Sequence, residues 1–223
     1  MTETFEDGTL AIVCDGMGGM QNGADASRLA IHAAADAFRD GYRTGITSDA
    51  VCELLRDAAA AANRAVFDAA GHGPSRIRMG STLAGAFFQN HIASLVNVGD
   101  SRAYLIGAEG DAMQLTLDHT VVQLLYERGD IGADERANHP RRNELTRAIG
   151  VSYRILADSY QLQLRDDDKL LLCSDGLYNL VSQKRMAEIV RSLPNPEIPA
   201  ALVSEANACG GKDNISVILL TQN

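Results

Sequence analysis

The sequence contains no tryptophan and few aromatic residues, 5% in all. Cationic residues are also scarce, since 20 Lys and Arg stand against 29 Asp and Glu and give a formal net charge of −9. This deficit argues against an extended nucleic-acid surface, because such a surface depends on clustered cations that neutralise phosphates. An excess of carboxylates is instead typical of a protein that gathers acidic groups around cations.

Long apolar runs and paired cysteine motifs are missing as well. No stretch approaches the roughly 18 apolar residues that a membrane-spanning helix needs, and no basic segment followed by an apolar one opens the chain. The cysteines show no CxxC spacing, so we predict buried, free thiols in a reducing compartment. These absences predict a cytoplasmic protein without membrane association. The cysteines are Cys14, Cys52, Cys173 and Cys209.

What is present is the composition of a folded globular protein. Hydrophobic residues make up 46% and charged residues 22%, close to the averages for soluble domains. A chain of 223 residues is long enough to bury a proper core, and no repeat or linker divides it. We therefore predict a single domain over residues 1–223.

Hydrophobic periodicity separates helical blocks from β blocks. Strands joined by short turns, with the helices in separate blocks, favour an α+β fold of antiparallel sheets covered by helices. The turns at residues 89–90 and 99–101 predict hairpins, and the polar segment 129–144 predicts an irregular, mobile lobe. The predicted helices cover 24–40, 48–71, 119–128, 184–193 and 197–209, and the predicted strands cover 81–88, 91–98, 102–106, 155–164, 169–174 and 215–221.

Two apolar strands end in the same way. The run 9–14 leads directly into Asp15 and Gly16, and the run 169–174 leads into Asp175 and a glycine. A third carboxylate, Asp100, lies in the turn 99–101, and a fourth, Asp213, precedes the last strand. Any one of these sites alone is more simply an ordinary turn, because Asp-Gly is a common turn dipeptide.

If these strand ends share one edge of the sheets, they form a pocket of oxygen ligands. Oxygen ligands without His or Cys select hard divalent cations such as Mg²⁺ and Mn²⁺. Several carboxylates hold two such ions about 3.5–4 Å apart, and the pair activates a water for in-line attack on phosphorus. The pattern therefore predicts metal-dependent hydrolysis of a phosphoester.

A series of short motifs, in this order along the chain, resembles the metal-dependent protein phosphatases of the type-2C (PPM) family, most closely its compact bacterial members. The resemblance implies an α-β-β-α sandwich and the hydrolysis of phosphoserine and phosphothreonine on proteins. The motifs are DGMGG at 15–19, GST at 80–82, GDSR at 99–102, LTLDHT at 115–120, HPRRNELTRAIG at 139–150, SDG at 174–176 and KDNIS at 212–216.

The resemblance also implies roles for individual residues. Asp15 would bridge two Mn²⁺ or Mg²⁺ ions, and the carbonyl of Gly16 would bind one of them. Asp175 and Asp213 would hold the other ion. Asp100, with help from Asp175, would hold a third ion, as in bacterial relatives. Residues 129–147 resemble the family's flap, which lies beside the active site and affects substrate choice.

The sequence departs from the family pattern at three places. Met17 stands where many eukaryotic members have a histidine, and Asn179 stands where some relatives have a metal-binding aspartate. An initial strand with an arginine and an acidic pair is not recognisable. We interpret Glu6 and Asp7 as the turn of a hairpin that joins residues 1–5 to 9–14. The chain would then lack one strand of the family fold, through a clipped start, a trimmed chain or a natural short form, and expose an unpaired sheet edge.

Two arginines are candidates for the missing phosphate clamp. Arg102 and Arg147 suit this role because guanidinium groups bind phosphate oxygens bidentately, and structural ion pairing is the favoured alternative for both. Arg142 is interpreted as a solvated charge of the flap. His119 and His139 are candidates for proton transfer, with a hydrogen-bonded structural role as the favoured alternative.

Three functions remain open from the sequence. The first is a phosphatase that acts on phosphorylated proteins, opposes a Ser/Thr kinase and is a monomer unless the exposed edge pairs. The second is a pseudophosphatase that binds phosphoproteins without turnover, suggested by the missing strand. The third is a receiver or an Asp-nucleophile phosphatase, although these need alternating β and α elements around a parallel sheet.

Overall fold

The structure is a computed structural model that describes residues 1–71, 73 and 77–222. Its helices are α1 (Met20–Gly41), α2 (Ser48–Ala69), α3 (Val121–Glu127), α4 (Asp175–Tyr178), α5 (Gln183–Ser192) and α6 (Ile198–Ala208). Its strands are β1 (Thr2–Thr4), β2 (Thr9–Val13), β3 (Gly16–Met17), β4 (Gly80–Ser81), β5 (Leu83–Gln89), β6 (Ile92–Val98), β7 (Arg102–Ile106), β8 (Met113–Gln114), β9 (Asp158–Gln163), β10 (Lys169–Cys173) and β11 (Val217–Thr221). Short 3-10 helices cover Ala133–Asn138 and Asn195–Glu197.

Two antiparallel sheets form the centre of the molecule. The first has the strand order β1-β2-β5-β6-β9, and the second has the order β11-β10-β7-β8. Helices α1 and α2 cover the outer face of the first sheet, and α4 to α6 cover the outer face of the second. The predicted α-β-β-α sandwich is confirmed. Antiparallel pairing also rules out the receiver fold, which needs a parallel sheet.

The central strands are apolar on both faces because each is covered on both sides. In β2, Leu10 and Ile12 pack toward α1 and α2, whereas Ala11 and Val13 pack toward the second sheet. In β10, alternate residues likewise enter the two neighbouring cores. This double burial explains why both strands read as continuous apolar runs.

The first residues form the predicted hairpin. Strand β1 pairs with β2, and Glu3 lies opposite Leu10. The ring of Phe5 lies 4.6 Å from that of Tyr42 and 5.5 Å from that of Phe38, both in α1 or at its end. This aromatic cluster anchors the hairpin to the helical layer.

The predicted hairpin at residues 99–101 is wrong. Strand β6 belongs to the first sheet and β7 to the second, so this link crosses between the sheets instead of reversing within one. Gly99 has φ +103°, and the hydroxyl of Ser101 lies 2.6 Å from that of Thr82. These contacts turn the chain out of the first sheet, because a positive φ is available to glycine at little cost.

The four cysteines are free, as predicted, and the predicted burial is confirmed for three of them and wrong for Cys209. Cys14, Cys52 and Cys173 are buried and free. Cys209 is exposed because it caps α6, beyond the last buried residue of that helix, Ala206. In the described part of the chain, no helix combines the length and hydropathy needed to cross a bilayer.

Candidate metal centre

Five predicted metal ligands come together. One cleft, with a volume of about 410 Å³, is lined by Asp15, Gly16, Asp100, Asp175 and Asp213. Asp15 follows a strand of the first sheet and Asp175 a strand of the second, so the cleft lies at one edge of the sandwich.

Asp15 is held through its backbone. Its amide donates to Oγ1 of Thr82 at 2.9 Å, and its carbonyl accepts the amide of Thr82 at 2.8 Å. The hydroxyl of Ser81 donates to the same carbonyl at 3.0 Å. These bonds leave the carboxylate of Asp15 to face the cleft, because they engage only the main-chain groups of Asp15.

Gly16 and Gly23 bring helix α1 against the chain that follows Asp15. A Cβ at Gly16 would lie 1.8 Å from the carbonyl oxygen of Gly23, and a Cβ at Gly23 would lie 2.7 Å from the carbonyl oxygen of Gly16. Both separations are too short for a side chain. The two glycines therefore fix how closely α1 approaches the backbone that follows Asp15.

Because of this contact, replacing Gly23 by alanine should change stability in the opposite direction to most Gly→Ala substitutions in helices. Within a helix, Gly→Ala normally stabilises by about 0.5–1 kcal/mol. Gly23→Ala is expected to destabilise the protein and to weaken Mn²⁺ binding, because the added methyl group displaces Gly16. Urea unfolding and Mn²⁺ titration would measure both effects.

The matched control is Gly41→Ala at the other end of α1. Its Cβ would meet Cδ1 of Leu54, the end of a flexible side chain, at 2.4 Å. We expect this variant to bind Mn²⁺ normally. An increase in stability for Gly23→Ala would contradict the assigned contact.

Asp175 is the first residue of α4 and carries the clearest sign of a missing partner. Its Oδ2 accepts a hydrogen bond from Nδ2 of Asn179 at 3.1 Å. Its Oδ1 is buried and accepts no hydrogen bond from a donor among the described residues, and the carboxyl of Asp15 lies close enough to hydrogen-bond the Asp175 carboxyl when protonated. Native proteins rarely leave a buried carboxylate oxygen in this state, since the desolvation cost is then uncompensated. A cation in the cleft would satisfy it.

The loop that carries Asp213 is tied to the residue before Asp175. The hydroxyl of Ser174 donates to the carbonyl of Asn214 at 3.2 Å and accepts the amide of Ser216 at 3.0 Å. A Cβ at Gly176 would lie 2.3 Å from the same Asn214 carbonyl oxygen. The glycine after Asp175 thus permits the close approach of two carboxylate-bearing segments.

Asp100 lies in the crossing between the sheets. Its carbonyl accepts the hydroxyl of Tyr178 at 2.9 Å. The ring of Tyr178 in turn lies 3.5 Å from the guanidinium carbon of Arg102. Tyr178 therefore holds the loop at Asp100 and at Arg102.

The carboxylates raise one another's pKa values. Burial, followed by the charges of Asp175 and Asp213, raises the pKa of Asp15 from 3.8 to about 7. Burial, followed by the charges of Asp175 and Asp118, raises the pKa of Asp100 to about 7. Burial and the charge of Asp213 also raise the pKa of Asp175. Such mutual repulsion is relieved when a divalent cation enters.

The donor set fits Mn²⁺ or Mg²⁺, which prefer carboxylate and carbonyl oxygens. The side chains are not yet gathered into a complete shell, since no three His, Cys, Asp or Glu side chains of the described residues are arranged to hold an ion. The buried Oδ1 of Asp175 and the cleft shared by the predicted ligands fit such an ion. To complete its ligand shell, the carboxylates would turn toward a common point.

Arg102 forms a buried ion pair. Its Nε lies 2.8 Å from Oδ1 of Asp118, its Nη2 lies 2.5 Å from Oδ2, and its Nη1 donates to the hydroxyl of Tyr104 at 2.9 Å. Burial opposes the charge, but the bidentate contact with Asp118 raises the pKa of the guanidinium overall. This geometry favours the structural alternative for Arg102.

Arg147 pairs with a carboxylate through one of its guanidinium nitrogens. Its Nη1 donates to Oδ1 of Asp158 at 2.6 Å, and the side chain, 34% exposed, lines the same cleft as Asp15. Arg142 is exposed and lines a neighbouring cleft of about 750 Å³, shared with Asp100, Asp175 and Asp213.

The sequence did not indicate which residues bond the two arginines and the loop of Asp100. Asp118, Asp158 and Tyr178 were not singled out, although Asp118 lies in the LTLDHT motif at 115–120. His139 makes a local bond, its Nδ1 accepting the amide of Arg141 at 3.1 Å. His119 is buried and bonded through both ring nitrogens.

Comparison with known proteins agrees with this geometry. The family model described as protein phosphatase 2C matches residues 2–201. The serine/threonine phosphatase Stp of Listeria innocua is 36% identical over 216 residues, which is 96% of this chain and 84% of the relative.

Solved structures are similar over nearly the whole chain. The serine/threonine phosphatase PstP/Ppp of Mycobacterium tuberculosis superposes with a TM-score of 0.84 and 32% identity, covering 98% of this chain and 89% of that one. A catalytic domain of PstP in complex with two manganese ions has a TM-score of 0.79 and 29% identity, covering 98% and 89% of the two chains. With its matching motifs, sandwich and cleft, the chain belongs to the protein phosphatase 2C family.

Proposed function

We propose that the protein hydrolyses phosphoserine and phosphothreonine monoesters on proteins with two Mn²⁺ or Mg²⁺ ions. The observation that carries this proposal is one cleft lined by four aspartates from distant segments, among them Asp175, whose buried carboxylate oxygen lacks a partner among the described residues. The names of the relatives and the two manganese ions of a related structure support it.

The ligand assignment is the one that the resemblance to the family implies, and the shared cleft supports it. Asp15 would bridge the two ions, with the Gly16 carbonyl on one and with Asp175 and Asp213 on the other. Asp100, beside Asp175, would hold a third. When bound, two divalent ions supply positive charge to the phosphoryl oxygens and an activated water for in-line attack. The protein's contribution is to fix the carboxylates on strand ends, where the backbone is rigid.

Arg147 is the better candidate for the phosphate contact. Both Asp118 oxygens occupy the fork of Arg102, whereas Arg147 gives only Nη1 to Asp158 and lines the cleft beside Asp15. A guanidinium in that position would orient the phosphoryl group and neutralise its charge.

The segment 129–147 would contact the protein substrate. Its residues line the larger cleft, which opens onto Asp100, Asp175 and Asp213. Substrate residues next to the phosphorylated side chain would lie along this wall. The partners are then phosphorylated proteins, including those modified by a Ser/Thr kinase. No observation favours the pseudophosphatase alternative.

The test is phosphate release from phosphoserine, phosphothreonine and phosphotyrosine peptides of one sequence. We expect turnover of the first two peptides with Mn²⁺, loss of turnover in EDTA, and recovery when Mn²⁺ is restored. Turnover that persists in EDTA, or that favours phosphotyrosine, would reject the proposal.

A further inference from the structure

His119 is buried and bonded through both ring nitrogens. Its side chain is 2% exposed. The amide of Gly99 donates to Nδ1 at 3.1 Å, and Nε2 lies 3.0 Å from Oδ2 of Asp158. Because Nδ1 accepts a hydrogen bond, it carries no proton. The ring is therefore the neutral tautomer with its proton on Nε2, which donates to Asp158.

Asp158 also forms a hydrogen bond with Arg147. One carboxylate oxygen accepts from His119, and the other accepts from Nη1 of Arg147 at 2.6 Å. Asp158 begins β9 and lies opposite Asn97 of β6 in the sheet register. The register thus fixes the carboxylate between the histidine and the arginine.

The two ends of this chain of bonds reach the same cleft. Gly99 immediately precedes Asp100, and both Asp100 and Arg147 line the cleft. The main chain reinforces the connection, since the His119 amide donates to the Gly99 carbonyl at 2.9 Å and the Thr146 amide donates to the His119 carbonyl at 2.8 Å. His119 therefore contacts the Asp100 loop and the Arg147 segment together.

We propose that His119 is a positioning residue that couples the loop carrying Asp100 to the orientation of Arg147. It acts through Gly99 on the metal side and through Asp158 on the phosphate side. In the described part of the chain, His119 is not among the residues that line either cleft, so it is placed to orient groups and not to exchange protons with substrate. The inference rests on the proposed function, because it assigns Arg147 to the substrate phosphate.

Two substitutions of His119 each break one of its two side-chain contacts and keep the other. In His119→Asn the amide oxygen replaces Nδ1 and keeps the acceptor for Gly99, but the donor to Asp158 is lost. In His119→Gln the amide nitrogen replaces Nε2 and keeps the donor to Asp158, but the acceptor for Gly99 is lost. Asp158→Asn and Arg147→Gln serve as references for the phosphate side.

The variants are expected to fail in different ways. His119→Asn should raise KM for a phosphopeptide about tenfold, as should Asp158→Asn, with the Mn²⁺ requirement unchanged. The double variant should show about the same tenfold increase, because both changes break one chain of contacts. His119→Gln should instead raise the Mn²⁺ concentration for half-maximal activity about tenfold and leave KM near the wild-type value.

Two measurements do not depend on turnover. Nitrogen NMR of the imidazole in EDTA should show the Nε2-protonated tautomer. Calorimetry with inorganic phosphate and Mn²⁺ should show weaker phosphate binding in His119→Asn and in Arg147→Gln alike. His32→Asn, an exposed position in α1, is the matched control and should behave as wild type.

The outcomes separate this inference from the proposed function. If wild type shows no Mn²⁺-dependent turnover, the proposed function fails, and the tautomer and phosphate affinities still decide the coupling. The coupling is overturned if the proton lies on Nδ1. It is also overturned if both His119 variants lower kcat and thermal stability equally and leave KM, phosphate affinity and Mn²⁺ requirement unchanged, because a merely structural histidine gives that result.

Discussion

Asp175→Asn should lower Mn²⁺-dependent hydrolysis of a phosphoserine peptide by about a thousandfold or more, because metal ions contribute several kcal/mol and each 1.4 kcal/mol is a factor of ten. Asp175 carries the buried, unpartnered oxygen of the described site and is assigned to one ion of the pair and to the third ion. The amide keeps the size of the side chain but removes the charge that attracts the ions. Phosphate release at saturating Mn²⁺ measures the effect.

Stability measurements distinguish loss of metal from loss of fold. In EDTA, Asp175→Asn should unfold at the same temperature as wild type or at a higher one, since it relieves repulsion with Asp15 and Asp213. Added Mn²⁺ should stabilise wild type and leave the variant nearly unchanged. Asp167→Asn, an equal charge change at an exposed position, is the control. Retention of activity within tenfold would contradict the assigned role.

The metal-free protein is expected to lose stability as pH rises toward 7. The pKa values of Asp15 and Asp100 are raised from 3.8 to about 7 in the folded state, so the folded protein binds more protons than the unfolded chain between these limits. The stabilisation is fully present below the ordinary pKa and is lost as pH rises through the raised one. The slope is about 1.4 kcal/mol per pH unit for each extra proton.

Urea unfolding in EDTA at several pH values measures this slope. Asp100→Asn should flatten it, because the substitution removes one titrating group and also removes a charge that raises the pKa of Asp15. Mn²⁺ should reverse the trend, since the ions replace the protons and bind more tightly as pH rises. Equal slopes for wild type and Asp100→Asn would show that Asp100 does not titrate as described.

Local patterns were sufficient to predict the layers and the ends of the central strands. Runs buried on both faces are continuous and apolar, so the strands before Asp15 and Asp175 were clear from sequence. The hairpin β1–β2 was also predicted, because Glu6 and Asp7 with the following glycine form a recognisable turn. The resemblance, based on the order of the motifs along the chain, added the prediction that the four aspartates share one metal site.

Long-range pairing could not be predicted in the same way. The turn at Gly99 looks like a hairpin locally, and its direction depends on Thr82, Ser101 and the register of two sheets. The roles of the arginines were undecided for the same reason. Arg102 is paired because β7 brings it to Asp118, sixteen residues later, and no spacing rule anticipates that contact.

The candidate centre draws its ligands from both sheets of the sandwich, with Asp15 after a strand of one and Asp175 after a strand of the other. Ion affinity must then depend on how the two layers are aligned. By thermodynamic reciprocity, any molecule that shifts one layer against the other, even from the helical surfaces, changes Mn²⁺ affinity by the factor with which Mn²⁺ changes that molecule's binding.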